Sequence, residues 1–275
     1  MEILDIHCAF GATPTSPEWG DIRAIESALQ ARGINSAFLA SDLARRFDLV
    51  VGNEQVAEAL ALAPAMRAWL VIHPARAVEV NVQMRRFLYD PRFVGCALYA
   101  DPMTGKPITL RAIRELLNAF RRFAKPLLIE VATVEAMQEA VAIAQEMSSM
   151  KVIVSGMGGD EWRDVVDMAV APLNLSLDFA GVLTADKIDY AIRTLGGVRK
   201  LVFGSGAPGT DPAAVIGLLD DLDISAEDRE RLLGLSALRL FNLGAAAEVE
   251  SIELNAPAAA SAEEAVVYPT LETLE

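Results

Sequence analysis

The sequence predicts an α/β chain folded as a (β/α)8 TIM barrel and followed by an acidic, alanine-rich, flexible tail. Three observations carry that expectation. Short runs rich in β-branched residues alternate with longer amphipathic runs in strict order. Eight of each can be counted, and the part before the tail is close to the ~250 residues usual for such a barrel. Strands are expected at 2–7, 35–40, 68–73, 93–99, 126–130, 151–155, 174–178 and 200–204. Helical patterns lie at 21–32, 55–63, 77–89, 110–123, 134–147, 161–171, 184–195 and 212–222. Gly33 and the pair Gly196-Gly197 stop two of these helices, because a residue without Cβ takes the left-handed cap conformation freely. Asp211-Pro212 starts another, and Ser225 opens a last one by offering a hydroxyl to unpaired backbone N–H groups. A doubly wound open sheet is the competing topology.

With 275 residues, 53% of them hydrophobic and 23% charged, the chain can bury one compact core. No apolar run approaches the ~18 residues of a membrane span. The start MEILDIH lacks the basic and apolar regions of a secretory leader, so no membrane association and a cytoplasmic location are expected. Cys8 and Cys96 form neither a disulfide framework nor a zinc-ribbon pattern, which argues against structural zinc. With 24 Lys+Arg against 38 Asp+Glu the net charge is -14, the wrong sign for holding nucleic acid. Residues 244–275 carry seven Glu and no Lys or Arg, half of that charge. Pro257, Pro269 and the absence of any helical or strand period mark this part as a flexible extension. Its apolar end, Val266 to Leu271, could dock on a partner.

A barrel does its chemistry at the C-terminal ends of its strands. Those positions are His7, Asp42, His73, Tyr99 with Asp101, Glu130, Ser155 to Gly159, Asp178, and Gly204 to Gly209. Cys8 follows an inward His7 and so turns toward the helices. Neither Cys8 nor Ser205 stands in a nucleophile elbow. Arg45-Arg46 and Arg121-Arg122 read as solvated pairs, and the three tryptophans as packing residues. The glycines of 204–209 satisfy GxGxxG by letter but follow the last strand, so they are no dinucleotide fingerprint. Together with the 155–159 loop they could offer backbone N–H groups to an anion, with Ser155, Gly158, Ser205 and Gly206 as the ligand-binding residues.

The run Leu4-Asp5-Ile6-His7-Cys8-Ala9-Phe10 resembles the opening motif of the amidohydrolase-related TIM-barrel family. Gly52-Asn53-Glu54, His73-Pro74, Val154-Ser155-Gly156-Met157-Gly158-Gly159 with Trp162, Phe203-Gly204-Ser205-Gly206 and Leu238-Arg239-Leu240-Phe241 follow in the family's order. The resemblance spans residues 2–243. It implies a divalent metal, usually zinc, at the barrel mouth, used for hydrolysis or in some members for decarboxylation.

The same resemblance exposes departures. The second histidine of the family's first-strand His-x-His is Ala9, and the fifth-strand histidine is Glu130. The sixth-strand histidine is Gly156, the acid after the eighth-strand Gly-Ser is Gly206, and the fourth strand reads Ala97-Leu98-Tyr99. A catalytic zinc needs about three protein ligands and an open position. The leading expectation is therefore a dismantled metal site in a noncatalytic structural or regulatory subunit with no cofactor. Such a subunit would assemble with itself or with a related catalytic barrel. The alternative is a metal-dependent hydrolase or decarboxylase with one zinc, manganese or iron held by His7, Glu130 and an aspartate such as Asp178. The second alternative is a small-anion binding module. If Glu130 points inward beside His7, a raised Glu130 pKa or a His7–Glu130 ion pair is the expected result.

Overall fold

All eight strands of the sequence pattern form. In the computed structural model, which describes residues 2–243, they are β1 Leu4–Phe10, β2 Ser36–Ser41, β3 Met66–Ile72, β4 Phe93–Leu98, β5 Leu127–Glu130, β6 Val152–Ser155, β7 Leu175–Asp178 and β8 Leu201–Val202. Each pairs in parallel with the next in chain order. A doubly wound sheet would reverse its strand order at a switch point, and this one does not. β1 closes the ring on the segment around and beyond β8. Ile6 N donates to Phe203 O at 3.0 Å, Ala9 N to Ala207 O at 2.7 Å and Gly206 N to His7 O at 2.9 Å. The acidic tail expected over 244–275 lies outside the described residues.

The helices are α1 Ile22–Gln30, α2 Asp42–Arg46, α3 Leu49–Ala59, α4 Ala77–Phe87, α5 Leu110–Phe120, α6 Val134–Glu146, α7 Trp162–Met168, α8 Ala185–Leu195, α9 Pro212–Gly217, α10 Ala226–Glu230 and α11 Ser236–Phe241. The cap signals act as expected: Asp211 accepts from Ala213 N, Ser225 accepts from Asp228 N, and Gly196 closes α8 at φ 71°. The segment after β2 differs from the sequence reading. Instead of one helix over 55–63 there are two, α2 and α3. Ser41 Oγ caps the first through Ala44 N, and the Asp48 carboxylate caps the second through Val50 N and Val51 N. A five-residue helix is too short to show a period, yet α2 sets the position of Arg45.

Two apolar layers result. The outer one lies between sheet and helices and includes Leu39, Leu70, Cys96 and Leu98. The inner one fills the barrel with Leu4, Ile6, Phe38, Trp69, Val71, Leu128, Ile153 and Val202. α11 seals the N-terminal end of the barrel, where the Phe241 ring meets Phe38 at 4.8 Å and Trp69 at 5.5 Å, both edge to face. With that end plugged by side chains worth roughly 1.5–3 kcal/mol each on burial, the open end is the one carrying the strand C-termini. β1 also bends there. Its register against β2 shifts between Asp5 and Cys8, so Ile6 faces the inner layer and its neighbour His7 lines the mouth, while Cys8 packs outward. Two successive inward residues are what a bulge produces.

Candidate active site

The mouth is a cavity of about 520 Å³, lined among others by His7, Asp42, Arg45, Tyr99, Glu130, Ser155, Asp160, Gly158 and Gly206. His7 stands at its base. Its Nδ1 donates to Asp178 Oδ2 at 2.8 Å across the barrel. Asp178, fully buried at the end of β7, uses Oδ1 to accept from Ala180 N at 2.9 Å, so its orientation is locked. His7 Nε2 has no protein partner among the described residues and opens to the cavity. Burial disfavours the imidazolium, but the charge and hydrogen bond of Asp178, helped by Glu130 and Asp5, outweigh it and hold the His7 pKa above the ordinary histidine value.

The expected His7–Glu130 pair does not form. Glu130 Oε2 instead accepts from Arg45 Nη2 at 2.5 Å. The Arg45 guanidinium also lies over the Tyr99 ring, 4.5 Å from its centroid, which satisfies the geometry of a cation–π contact. Arg45 is therefore a wall of the site and not a solvated surface residue. The short capped helix α2 brings it there, and no periodic signal could have shown that. The Tyr99 phenol is pushed well above its usual range by burial, with Glu130 adding to the effect. The second arginine of the pair does point outward and binds Asp42 at 2.6 Å.

Of the four residues expected to bind a ligand, Ser155, Gly158 and Gly206 line the cavity. Ser205 does not: it is fully buried and its Oγ accepts from Ala207 N at 3.0 Å, with Cys8 Sγ at 3.9 Å. The reason is strand alternation around β8, which turns Ser205 to the same outer side as Cys8. The Gly-rich loop after β6 also departs from an anion cradle. Its Met157, Gly158 and Gly159 carbonyls all face the Lys187 ammonium at 3.2–3.3 Å, so it already serves a cation.

Asp5 was legible only as part of a motif. It is fully buried, and its Oδ1 accepts from both His7 N and Ser205 N at 3.0 Å, strapping β1 to the segment after β8 beneath the dyad. Burial raises its pKa against those hydrogen bonds. His73 and Asp101 sit apart from the main mouth. His73 faces a smaller cavity of about 140 Å³, with Nε2 at 3.4 Å from Asp101 Oδ2, and Asp101 caps its own turn through Met103 N and Thr104 N.

The residues present do not fit the divalent metal that the sequence resemblance implies. Among the described residues no three His, Cys, Asp or Glu side chains converge on one point. Two of the missing donors could not simply be restored. A Cβ at Gly156 would fall 2.3 Å from Val131 Cγ2, and Gly206 has a φ of +76° that disfavours any side chain.

Closed parallel strands, a plugged base and a polar mouth define an α/β barrel with its site at the strand C-termini. The model of the family described as Amidohydrolase matches residues 5–243, and the chain belongs to that family. No curated protein matches the sequence. Among solved structures, a putative amidohydrolase from Staphylococcus aureus superposes with TM-score 0.73 at 11% identity, over 88% of this chain and 100% of that one. A 5-carboxyvanillate decarboxylase from Novosphingobium aromaticivorans, complexed with manganese, gives 0.70 at 14% identity over 88% and 96%. A dihydroxybenzoic acid decarboxylase from Polaromonas, also with bound manganese, gives 0.66 at 16% over 90% and 99%. The expectation of a noncatalytic subunit is corrected by these findings: membership of this family, beside relatives described as decarboxylases, points to an enzyme. No helix among the described residues is long and apolar enough to cross a membrane.

Proposed function

We propose that this chain is an enzyme that decarboxylates a small organic acid at the barrel mouth, with His7 as the proton donor and Asp178 as the group that keeps it charged. The observation that carries this reading is the 2.8 Å His7–Asp178 hydrogen bond at the base of an open polar cavity. With Nδ1 engaged, only Nε2 can pass a proton to a bound molecule. Because the pair favours imidazolium, the group acts as an acid. The bond from the substrate carbon to its carboxylate breaks, the electron pair stays on that carbon, carbon dioxide leaves, and the Nε2 proton takes its place. Water then reprotonates the imidazole. The decarboxylases of carboxyvanillate and dihydroxybenzoate that share the barrel support this substrate class.

A second reading is hydrolysis of a small ester acid at the same mouth, with the His7 Nε2 proton passing to the leaving group, favoured by a probable 2-pyrone-4,6-dicarboxylic acid hydrolase from Acinetobacter baumannii that shares the barrel. A panel of hydroxylated aromatic acids and cyclic ester acids, monitored for carbon dioxide by membrane-inlet mass spectrometry, tests the proposal. Release of carbon dioxide should fall by roughly 10²-fold or more in His7→Gln and Asp178→Asn, the usual cost of losing a general acid. Unchanged turnover in His7→Gln would overturn the assignment, and ester cleavage without carbon dioxide would favour the second reading.

A further inference from the structure

We infer that the Arg45 guanidinium is the resident cation of this mouth and stands in the electrostatic place of a divalent metal. Glu130 ends β5 where the sequence resemblance expects a metal-binding histidine, and its carboxylate is taken by Arg45 Nη2 at 2.5 Å. The guanidinium is held from two more directions. α2 is fixed at its start by the Ser41 cap, and the face of Tyr99 lies 4.5 Å from Cζ. An arginine stays charged at any pH the protein meets.

Two further carboxylates at or beneath the mouth follow the same rule. Asp42 holds Arg46 at 2.6 Å and Asp178 holds His7 at 2.8 Å, so each of these three acids already has a cation from the chain itself. A divalent ion would have to expel one of them and then sit beside a fixed positive charge. It would also lack donors from β6 and β8. Val131 fills the space a side chain at 156 would need, and the backbone at 206 is left-handed. The positive field at this mouth therefore comes from a side chain that no chelator can remove. Its direction is set by Glu130 and Tyr99, toward the cavity that His7 Nε2 also faces.

This inference rests on the reading of the mouth as the active site, but its test does not use turnover, so the two can fail separately. The full chain is washed with chelator and titrated with manganese chloride, and free Mn2+ is followed by electron paramagnetic resonance. Wild type should show no one-to-one site at submillimolar Mn2+. Arg45→Met should gain at least tenfold in Mn2+ affinity, because it frees Glu130 beside His7 and Asp178. Arg45→Lys, which keeps the charge, should stay like wild type. Circular dichroism and melting confirm that each variant folds, with Arg45→Gln replacing Arg45→Met if the latter does not. One tightly bound Mn2+ per wild-type chain overturns the inference. So does a folded Arg45→Met or Arg45→Gln chain whose Mn2+ affinity is unchanged.

Discussion

At the scale of the residue, the His7–Asp178 pair joins stability to chemistry. The folded state holds the His7 pKa above its unfolded value, since Asp178 and its neighbours outweigh burial. The stability that this contributes is fully present below about pH 6.5, the unperturbed histidine value, and is lost as pH rises through the higher folded value. Calorimetric melting of wild type should therefore show a fall across that window that is absent in His7→Gln. In Asp178→Asn the charge opposing burial is gone, and the His7 proton should titrate at lower pH than in wild type. Histidine NMR signals measure that shift, and an unmoved value would show that Asp178 does not set it. His7 and Asp178 could both be picked out as strand-end residues. Their partnership could not, because 171 residues separate them and only ring closure brings β1 and β7 onto one cavity. Arg45 was less legible still, as adjacent arginines read alike until α2 sends one inward and the other outward.

At the scale of the element, glycines mark where the barrel tolerates no side chain. Gly156 follows β6 and presses on Val131, with its missing Cβ 2.3 Å from Val131 Cγ2 and 3.3 Å from Val165 Cγ1. Gly156→Ala should destabilise the fold by about 1–3 kcal/mol, the usual cost of overpacking. Part of that loss should return in Gly156→Ala combined with Val131→Ala. Urea unfolding of the two variants checks this, and a fully stable single variant would mean that the β6 loop shifts freely. The sequence shows Gly156 as a missing ligand. It does not show that the space is already filled, since Val131 lies 25 positions earlier and meets Gly156 only through the β5–β6 pairing. The eight strands and the longer helices were legible for the opposite reason: patterns of period 2 and 3.6 are local, and caps such as Asp211 and Ser225 act on residues two or three positions away.

At the scale of the whole molecule, the end of the described chain decides which side of the barrel is open. Phe241 reaches from α11 into the base and packs edge to face on Phe38 and Trp69. Phe241→Ala should cost about 2–4 kcal/mol, less than a fully buried aromatic at the upper end because the ring is only partly enclosed. For a chain of this size that corresponds to a Tm lowered by roughly 2–4 °C per kcal/mol. A thermal scan with an unchanged Tm would show that α11 merely rests on the barrel.

The sequence by itself determined the order of the strands, the barrel and the family, because alternation, caps and strand-end motifs are properties of neighbouring residues. Tertiary structure alone decided the site. It paired His7 with Asp178 and not with Glu130, and it gave Glu130 to Arg45. It also turned Ser205 outward and closed the space at Gly156. Those outcomes depend on which strands curl onto a common axis and on where a five-residue helix points a guanidinium, and both are contacts between residues far apart in the chain.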